Sequence, residues 1–170
     1  MNILVCIKRV PDVGSKFRLT EDDQAIDTTS LGFTISPHEE CAIEEAIFII
    51  EKSGGNATVL TLGPAEAEEQ LKDSLARGMT DAILLETDQP EWDPYQIAQA
   101  IIETVKSEEA KNGPFDLLMF GSESADSGNA QIGIRVAHGL DRPIICGLKD
   151  LTVTDSGIFG IRDIPNAIEI

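Results

Sequence analysis

The stretch ATVLTLGPAEAEEQLKDSLARGMTDAILLE, residues 57–86, decides the fold. It opens on one continuous apolar run, ATVLTL (57–62), and closes on another, DAILLE (81–86). Unbroken runs of this kind, rather than alternation, suit strands of a parallel sheet covered on both faces. The segment between them reads as a helix, with Pro64 near its start, an acidic first turn, Leu71 and Leu75 on its inner face, and Arg77 and Gly78 at its end. A strand, a helix and a second strand in this order form a βαβ unit, whose right-handed crossover leaves the two strands parallel.

The alternation continues in both directions. NILVCI (2–7), FDLLMF (115–120) and RPIICGL (142–148) read as further buried strands. In SPHEECAIEEAIFIIEKSGG, Ser36 is placed to cap a helix, Pro37 takes the first helical position and Glu39 completes a capping box. Ile43, Ala46, Ile47 and Ile50 share one face of that helix, and Gly54-Gly55 ends it. DPYQIAQAIIETVKSEEAK has Asp93 as its cap and Pro94 next, with Ile97, Ile101 and Val105 turned inward. A fourth helix is expected from about Ser127 to His138, stopping at Gly139. About five alternations give an α/β fold with a doubly wound, mostly parallel sheet of the Rossmann-like kind. Two segments stand outside the pattern. Residues 8–35 read as an inserted hairpin, and the tail LTVTDSGIFGIRDIPNAIEI as another, turning at Asp155-Ser156-Gly157. Residues 1–170 contain no linker, repeat or low-complexity segment and read as a single domain.

Composition narrows the function. The net charge of −17 is spread along the chain and repels phosphate backbones and anionic lipid, so no nucleic-acid partner is expected. The opening MNILVCIKRV lacks the apolar core of a signal peptide, and no run approaches the roughly 20 apolar residues that span a bilayer. A cytoplasmic or organelle-matrix protein without direct membrane insertion is expected. Cys6, Cys41 and Cys146 are far apart and set in apolar surroundings, which reads as three reduced structural thiols and no metal site.

Ligands of open α/β sheets sit beyond the carboxyl ends of the strands, near the point where strand order reverses. Four places qualify: Cys6 to Pro11, Ser36 to Glu39, Leu62 to Pro64, and Gly121 to Gln131. Free amides at helix starts favour an anion such as phosphate. The last place, in FGSESADSGNAQIGIRVAHGL (120–140), is the strongest, because its small residues let a ligand approach the backbone. It supplies amides, hydroxyls and a carboxylate, but no lysine. A nucleotide site and four ordinary capped connections both fit this pattern. Other chemistries fit less well. Neither G-x-x-x-x-G-K-[ST] nor G-x-G-x-x-G is present, although Gly128 and Gly133 flank the right kind of helix. His38 and His138 read as helix-terminal residues, and nothing places a nucleophile beside them, so no catalytic residue is assigned. HEEC (38–41) offers ligand types on adjacent helical positions that do not converge on one ion.

Together, ILVCIKRVPD, SPHEECAIEEA, TVLTLGPAEAEEQLKDSLARGMTDAILLE and GSESADSGNAQIGIRVAHGL resemble the beta subunit of electron transfer flavoproteins, in order and over nearly the whole chain. The resemblance implies an adenine-nucleotide-binding α/β domain, related to the adenine-nucleotide alpha hydrolase-like folds. It implies pairing with an alpha subunit that carries most contacts to the redox-active FAD. The beta subunit of the family buries AMP, or a second FAD in electron-bifurcating members, and an electron-donating dehydrogenase supplies the pair. It acts as an electron carrier, not as an enzyme with acid–base residues, in the cytoplasm or mitochondrial matrix. By position, the resemblance carries cofactor contacts onto Cys6, onto Ser36, Pro37, His38 and Glu39, and onto Leu62. It also carries them onto Asp126, Ser127, Gly128, Asn129, Ala130, Gln131, Ile132, Gly133, Ile134, Arg135, Val136 and Ala137. Asp126 is assigned to a ribose hydroxyl, and Ser127 with neighbouring amides to phosphate.

The sequence departs from the family at Ser36, where Asn is usual, and at Ala130, where Asn or Thr is common. Typical members also continue past the position of Ile170 with a core strand, a partner-recognition loop and a C-terminal arm, so a C-terminally short or truncated member is expected. Two other classes share the architecture. A stand-alone adenine-nucleotide sensor resembling universal stress proteins requires homodimerisation and ATP without flavin. A hydrolase or ligase of the adenine-nucleotide hydrolase-like superfamily requires a phosphate-gripping motif after the first strand, which KRVPDVGSK does not supply.

Overall fold

The computed structural model describes residues 1–12, 14–89, 92–154, 156–164 and 167–169. Its centre is β1 (Asn2–Ile7), whose Ile3, Leu4 and Val5 are fully buried. β4 (Asn56–Gly63) pairs with one edge of β1 and β6 (Leu117–Phe120) with the other, both parallel. β5 (Asp81–Glu86) adds beyond β4, also parallel, so the sheet order is β5-β4-β1-β6.

Both faces of this sheet are covered, which is why its inner strands read as unbroken apolar runs. Ile3, Val5 and Ile7 point to α1 (Pro37–Ser53) and α2 (Glu68–Arg77), packing with Ile43, Ala46 and Leu71. Leu4 and Cys6 point the other way, to α3 (Pro94–Asn112) and α4 (Ile132–Gly139), and pack with Ile101, Ile102, Val105 and Val136. Each such aliphatic side chain contributes about 1.5–3 kcal/mol of burial. The chain steps from β1 to β4 to β5 in one direction and then places β6 on the opposite side of β1. Strand order therefore reverses between β1 and β6, and the crevice of a doubly wound sheet opens there.

Asp93 caps α3 as expected, its Oδ1 accepting from the Tyr95 amide at 2.7 Å. The helix expected after Pro64 begins as a 3-10 turn (Ala65–Ala67) before α2. β2 (Arg9–Pro11) and β3 (Phe33–Ile35) pair antiparallel, and a bridge joins Leu19 to Ile26, so residues 8–35 contain the inserted hairpin. In the tail, β7 (Asp150–Thr154) pairs antiparallel with β8 (Gly157–Ile164), which pairs with β9 (Ala167–Glu169). Of the expected turn, Asp155 lies outside the described residues.

Three expectations are corrected. Residues 142–148 form no strand; Ile144, Ile145 and Leu148 are exposed instead of joining the sheet. The fourth helix starts at Ile132, not Ser127, because Gly128 and Ala130 take left-handed backbone angles (φ 59° and 50°) that no α-helix accommodates. Ser36 occupies the N-cap position of α1, yet its hydroxyl makes no capping bond, so the capping box does not form.

Candidate functional site

The carboxyl end of β1 leads into Lys8, whose carbonyl accepts from the Ser36 amide at 3.2 Å. This bond fixes the start of α1 beside the exit of β1. Ser36 is fully buried, and its hydroxyl accepts from the Ala125 amide at 3.2 Å. The hydroxyl that sequence placed at a helix cap thus ties α1 to the loop after β6.

Glu39 lies one turn further along α1 and is 6% exposed. Its carboxyl group rests on Gly121, the first residue after β6, and its Oε2 has no hydrogen-bond partner. Burial raises its pKa, more than the nearby Ser36 hydroxyl, His38 and Lys8 lower it. An acid with a raised folded pKa costs stability above that pKa, where it is charged and desolvated; below its unfolded value the cost vanishes. Glu39→Gln is therefore expected to raise the urea midpoint at pH 7, with the gain shrinking as pH falls to the ordinary carboxyl value of 4.5. A lowered midpoint at pH 7 contradicts this reading.

The loop after β6 carries Asp126 and Ser127 back towards β1. Lys8 Nζ reaches the two oxygens of Asp126 at 2.8 and 2.7 Å and Ser127 Oγ at 3.3 Å. Ser127 Oγ also lies 2.7 Å from Ser124 Oγ. Partial burial pushes the Asp126 carboxyl up, but hydrogen bonding and charge from Lys8 outweigh it and hold the group below the usual carboxylate range. The loop is shaped by the Gly128 amide donating to the Ser124 carbonyl at 2.9 Å and by the left-handed residues Gly128 and Ala130. Alanine pays for that conformation with a steric penalty of about 1 kcal/mol. Ala130→Gly is expected to stabilise the chain by some tenths to about 1 kcal/mol in urea unfolding.

α4 then packs its start against β6. A Cβ on Gly133 would lie 3.2 Å from the Phe120 ring, so the glycine permits the close approach. The first amides of α4 have no acceptor within the helix, as at any helix start.

The crevice at the β1–β6 switch point thus gathers Lys8, Ser36, Glu39, Asp126 and Ser127 from three separate segments. Gly128, Asn129 and Ala130 are exposed on the adjoining loop, and the Gln131 side chain accepts from Arg135 Nε at 2.8 Å. Pro37 and His38 are exposed beside Glu39, and Ile134 on α4 is also exposed. Others lie apart from the crevice. Cys6, Val136 and Ala137 are buried, Cys6 and Val136 in the core under α3 and α4, where Ile132 also packs. Burial pushes the Cys6 thiol far up, so it stays protonated. Leu62 is partly buried on β4, on the side of β1 away from β6. Cys41 and Cys146 are exposed, against the expectation of apolar surroundings. Among the described residues no cluster of three or more His, Cys, Asp or Glu side chains is arranged to hold a metal ion, and no helix is long and apolar enough to cross a membrane.

Sequence reasoning placed Lys8 inside the Cys6 to Pro11 stretch but gave it no role. Searching the 121–131 segment for a cation could not find it, because the parallel sheet brings it from 118 residues away. Its position immediately after the first strand was the available signal.

Comparison with known proteins adds a family. A model of the electron transfer flavoprotein domain matches residues 24–170. The chain is 34% identical over 171 residues to the electron transfer flavoprotein subunit beta of Bacillus subtilis, covering 99% of this chain and 64% of that protein. The subunit beta of Thermoanaerobacterium thermosaccharolyticum is 32% identical over 172 residues, covering 100% and 64%. The acryloyl-CoA reductase electron transfer subunit gamma of Anaerotignum propionicum is 30% identical over 144 residues, covering 84% and 53%. The chain therefore spans somewhat under two thirds of the length of these relatives.

Proposed function

Since the chain belongs to the electron transfer flavoprotein family and is of its beta type, we propose that residues 1–170 form an adenine-nucleotide-binding unit of an electron carrier. The observation that carries this reading is the cluster of polar side chains beyond β1 and β6, where strand order reverses, with the buried Glu39 Oε2 unpartnered among them. A buried oxygen without a donor is costly, and a hydroxyl or amino group of a bound ligand relieves that cost. Asp126 and Ser127 add an acceptor and a hydroxyl at the mouth, and the open amides of α4 suit a phosphate. AMP fits this donor and acceptor set, as does the AMP half of FAD.

The flavin of such a carrier takes up and releases electrons; this chain's part is to bind and orient, not to act as acid or base. Its partner is an alpha subunit that holds FAD, and an electron-donating dehydrogenase supplies the pair, in the cytoplasm or a mitochondrial matrix. Support for the pairing comes from the apolar patch of Ile144, Ile145, Leu148, Ile158 and Phe159, all exposed. The patch is built, not frayed: Arg142 pairs with Glu109 and donates to the Phe115 carbonyl at 3.0 Å, and the Lys149 amide donates to the Ile161 carbonyl at 2.8 Å. The segment between those anchors is therefore presented at a fixed place.

The test is to produce the chain with an alpha-type subunit from the same source and record the visible spectrum before and after adding a reduced donor. A flavin band that appears with the pair and bleaches on reduction is expected. A pair that assembles without flavin, or a chain that forms only ATP-loaded homodimers, overturns the carrier reading, the latter in favour of a sensor.

A further inference from the structure

We infer that Lys8 is the phosphate-selecting residue of this crevice, and that Asp126 holds its ammonium group in place until a nucleoside phosphate takes it over. The inference rests on the nucleotide reading above and concerns how that site distinguishes a phosphorylated ligand from a bare nucleoside.

The geometry supplies the argument. The Lys8 ammonium bonds both Asp126 oxygens, at 2.8 and 2.7 Å, and Ser127 Oγ at 3.3 Å. The two side chains of the pair are 38% and 32% exposed, and a pair so open to water contributes little by itself. It is therefore exchangeable. A phosphate dianion carries more charge than one carboxylate and offers more acceptor oxygens, and charge-assisted bonds of this kind are the strong ones. Its arrival frees the Asp126 carboxylate to accept from a ribose hydroxyl, so one exchange prepares both ends of the ligand.

Electrostatics makes the lysine necessary. Glu39 and Asp126 both face this region, Lys8 acts on the charge of each, and the chain carries a net charge of −17. Without the ammonium an entering phosphate meets two carboxylates and no compensating cation from Lys8. A neutral nucleoside meets no such barrier.

The experiment is calorimetric titration of the full chain with AMP and with adenosine, in wild type, Lys8→Met, Lys8→Arg and Lys72→Met. Lys72 lies on α2, paired with Glu68, and controls for the loss of one positive charge. Wild type and Lys72→Met are expected to prefer AMP by about tenfold or more. Lys8→Met is expected to lose most of that preference while holding adenosine within about twofold of wild type, and Lys8→Arg to keep most of it. In wild type, added salt should weaken AMP and leave adenosine unchanged. An undiminished AMP preference in Lys8→Met overturns the role of Lys8 alone. A parallel loss of both ligands in Lys8→Met and Lys8→Arg also overturns it, showing a structural lysine. A wild-type chain that binds neither ligand overturns the nucleotide reading itself.

Discussion

Gly121→Ala is expected to destabilise the chain by about 1–3 kcal/mol, the usual cost of an extra methyl forced into a packed site, and to abolish nucleotide retention. The cause is space, not backbone angle. A Cβ at Gly121 would stand 2.6 Å from Glu39 Cδ and 2.9 Å from its Oε2, closer than real contacts allow. Glu39 is 6% exposed and sits on α1, whose start is bonded to Lys8 and to Ala125 through Ser36, so its carboxyl group yields only by turning within a packed site. Relief comes from turning the Glu39 carboxyl out of its place or from separating α1 and the loop after β6, and either change disturbs the crevice. Gly128→Ala makes a useful contrast, because there the obstacle is the left-handed φ of 59° and the nearest side-chain atom is 3.7 Å away. Urea midpoints and the nucleotide content of the purified variants check both points. A Gly121→Ala chain with wild-type stability and full nucleotide content contradicts the geometry described for Glu39.

The double variant Ile145→Asp, Phe159→Asp is expected to abolish pairing with the alpha subunit while the chain stays folded and keeps its nucleotide. Ile145 is 57% exposed and Phe159 48%, so an aspartate at either place costs the isolated chain little. At the centre of an interface the same change buries an unpaired charge. Losses of 2 kcal/mol or more per central residue are usual there, on the order of 30-fold in affinity each. Clustered exposed apolar side chains of this size mark interaction surfaces. Co-purification and sedimentation of the pair measure the outcome. Retained pairing in the double variant places the partner elsewhere.

The fold was legible wherever burial on two faces left its mark. Apolar runs of the sequence mark β1, β4, β5 and β6, and the alternation of helices between them required a parallel, doubly wound sheet. The same signal misled at residues 142–148. An apolar run reports that side chains avoid water, not which surface covers them, and Ile144 and Ile145 face outward instead of into the sheet. The start of α4 was misread for a different reason. Ser, Asp, Asn and Gly suit a helix cap and a left-handed turn equally, and only the positive φ of Gly128 and Ala130 separates the two. In the candidate site, Ser36, Glu39, Asp126 and Ser127 were recognisable as helix-start and loop residues on the carboxyl side of the sheet. Their connections were not. That the Ser36 hydroxyl serves Ala125 rather than its own helix, and that Lys8 crosses to Asp126, depends on β1 and β6 being neighbours. Such long-range pairing has no local signature in the chain.

The central claim is that the β1–β6 crevice holds an adenine nucleotide. It is tested most directly by denaturing the purified wild-type and Gly121→Ala chains side by side and identifying released small molecules by mass spectrometry. The account predicts AMP or FAD from wild type and neither from Gly121→Ala. Adenine nucleotide in equal amount from both chains, or none from wild type alone and none from wild type purified with its alpha subunit, contradicts it.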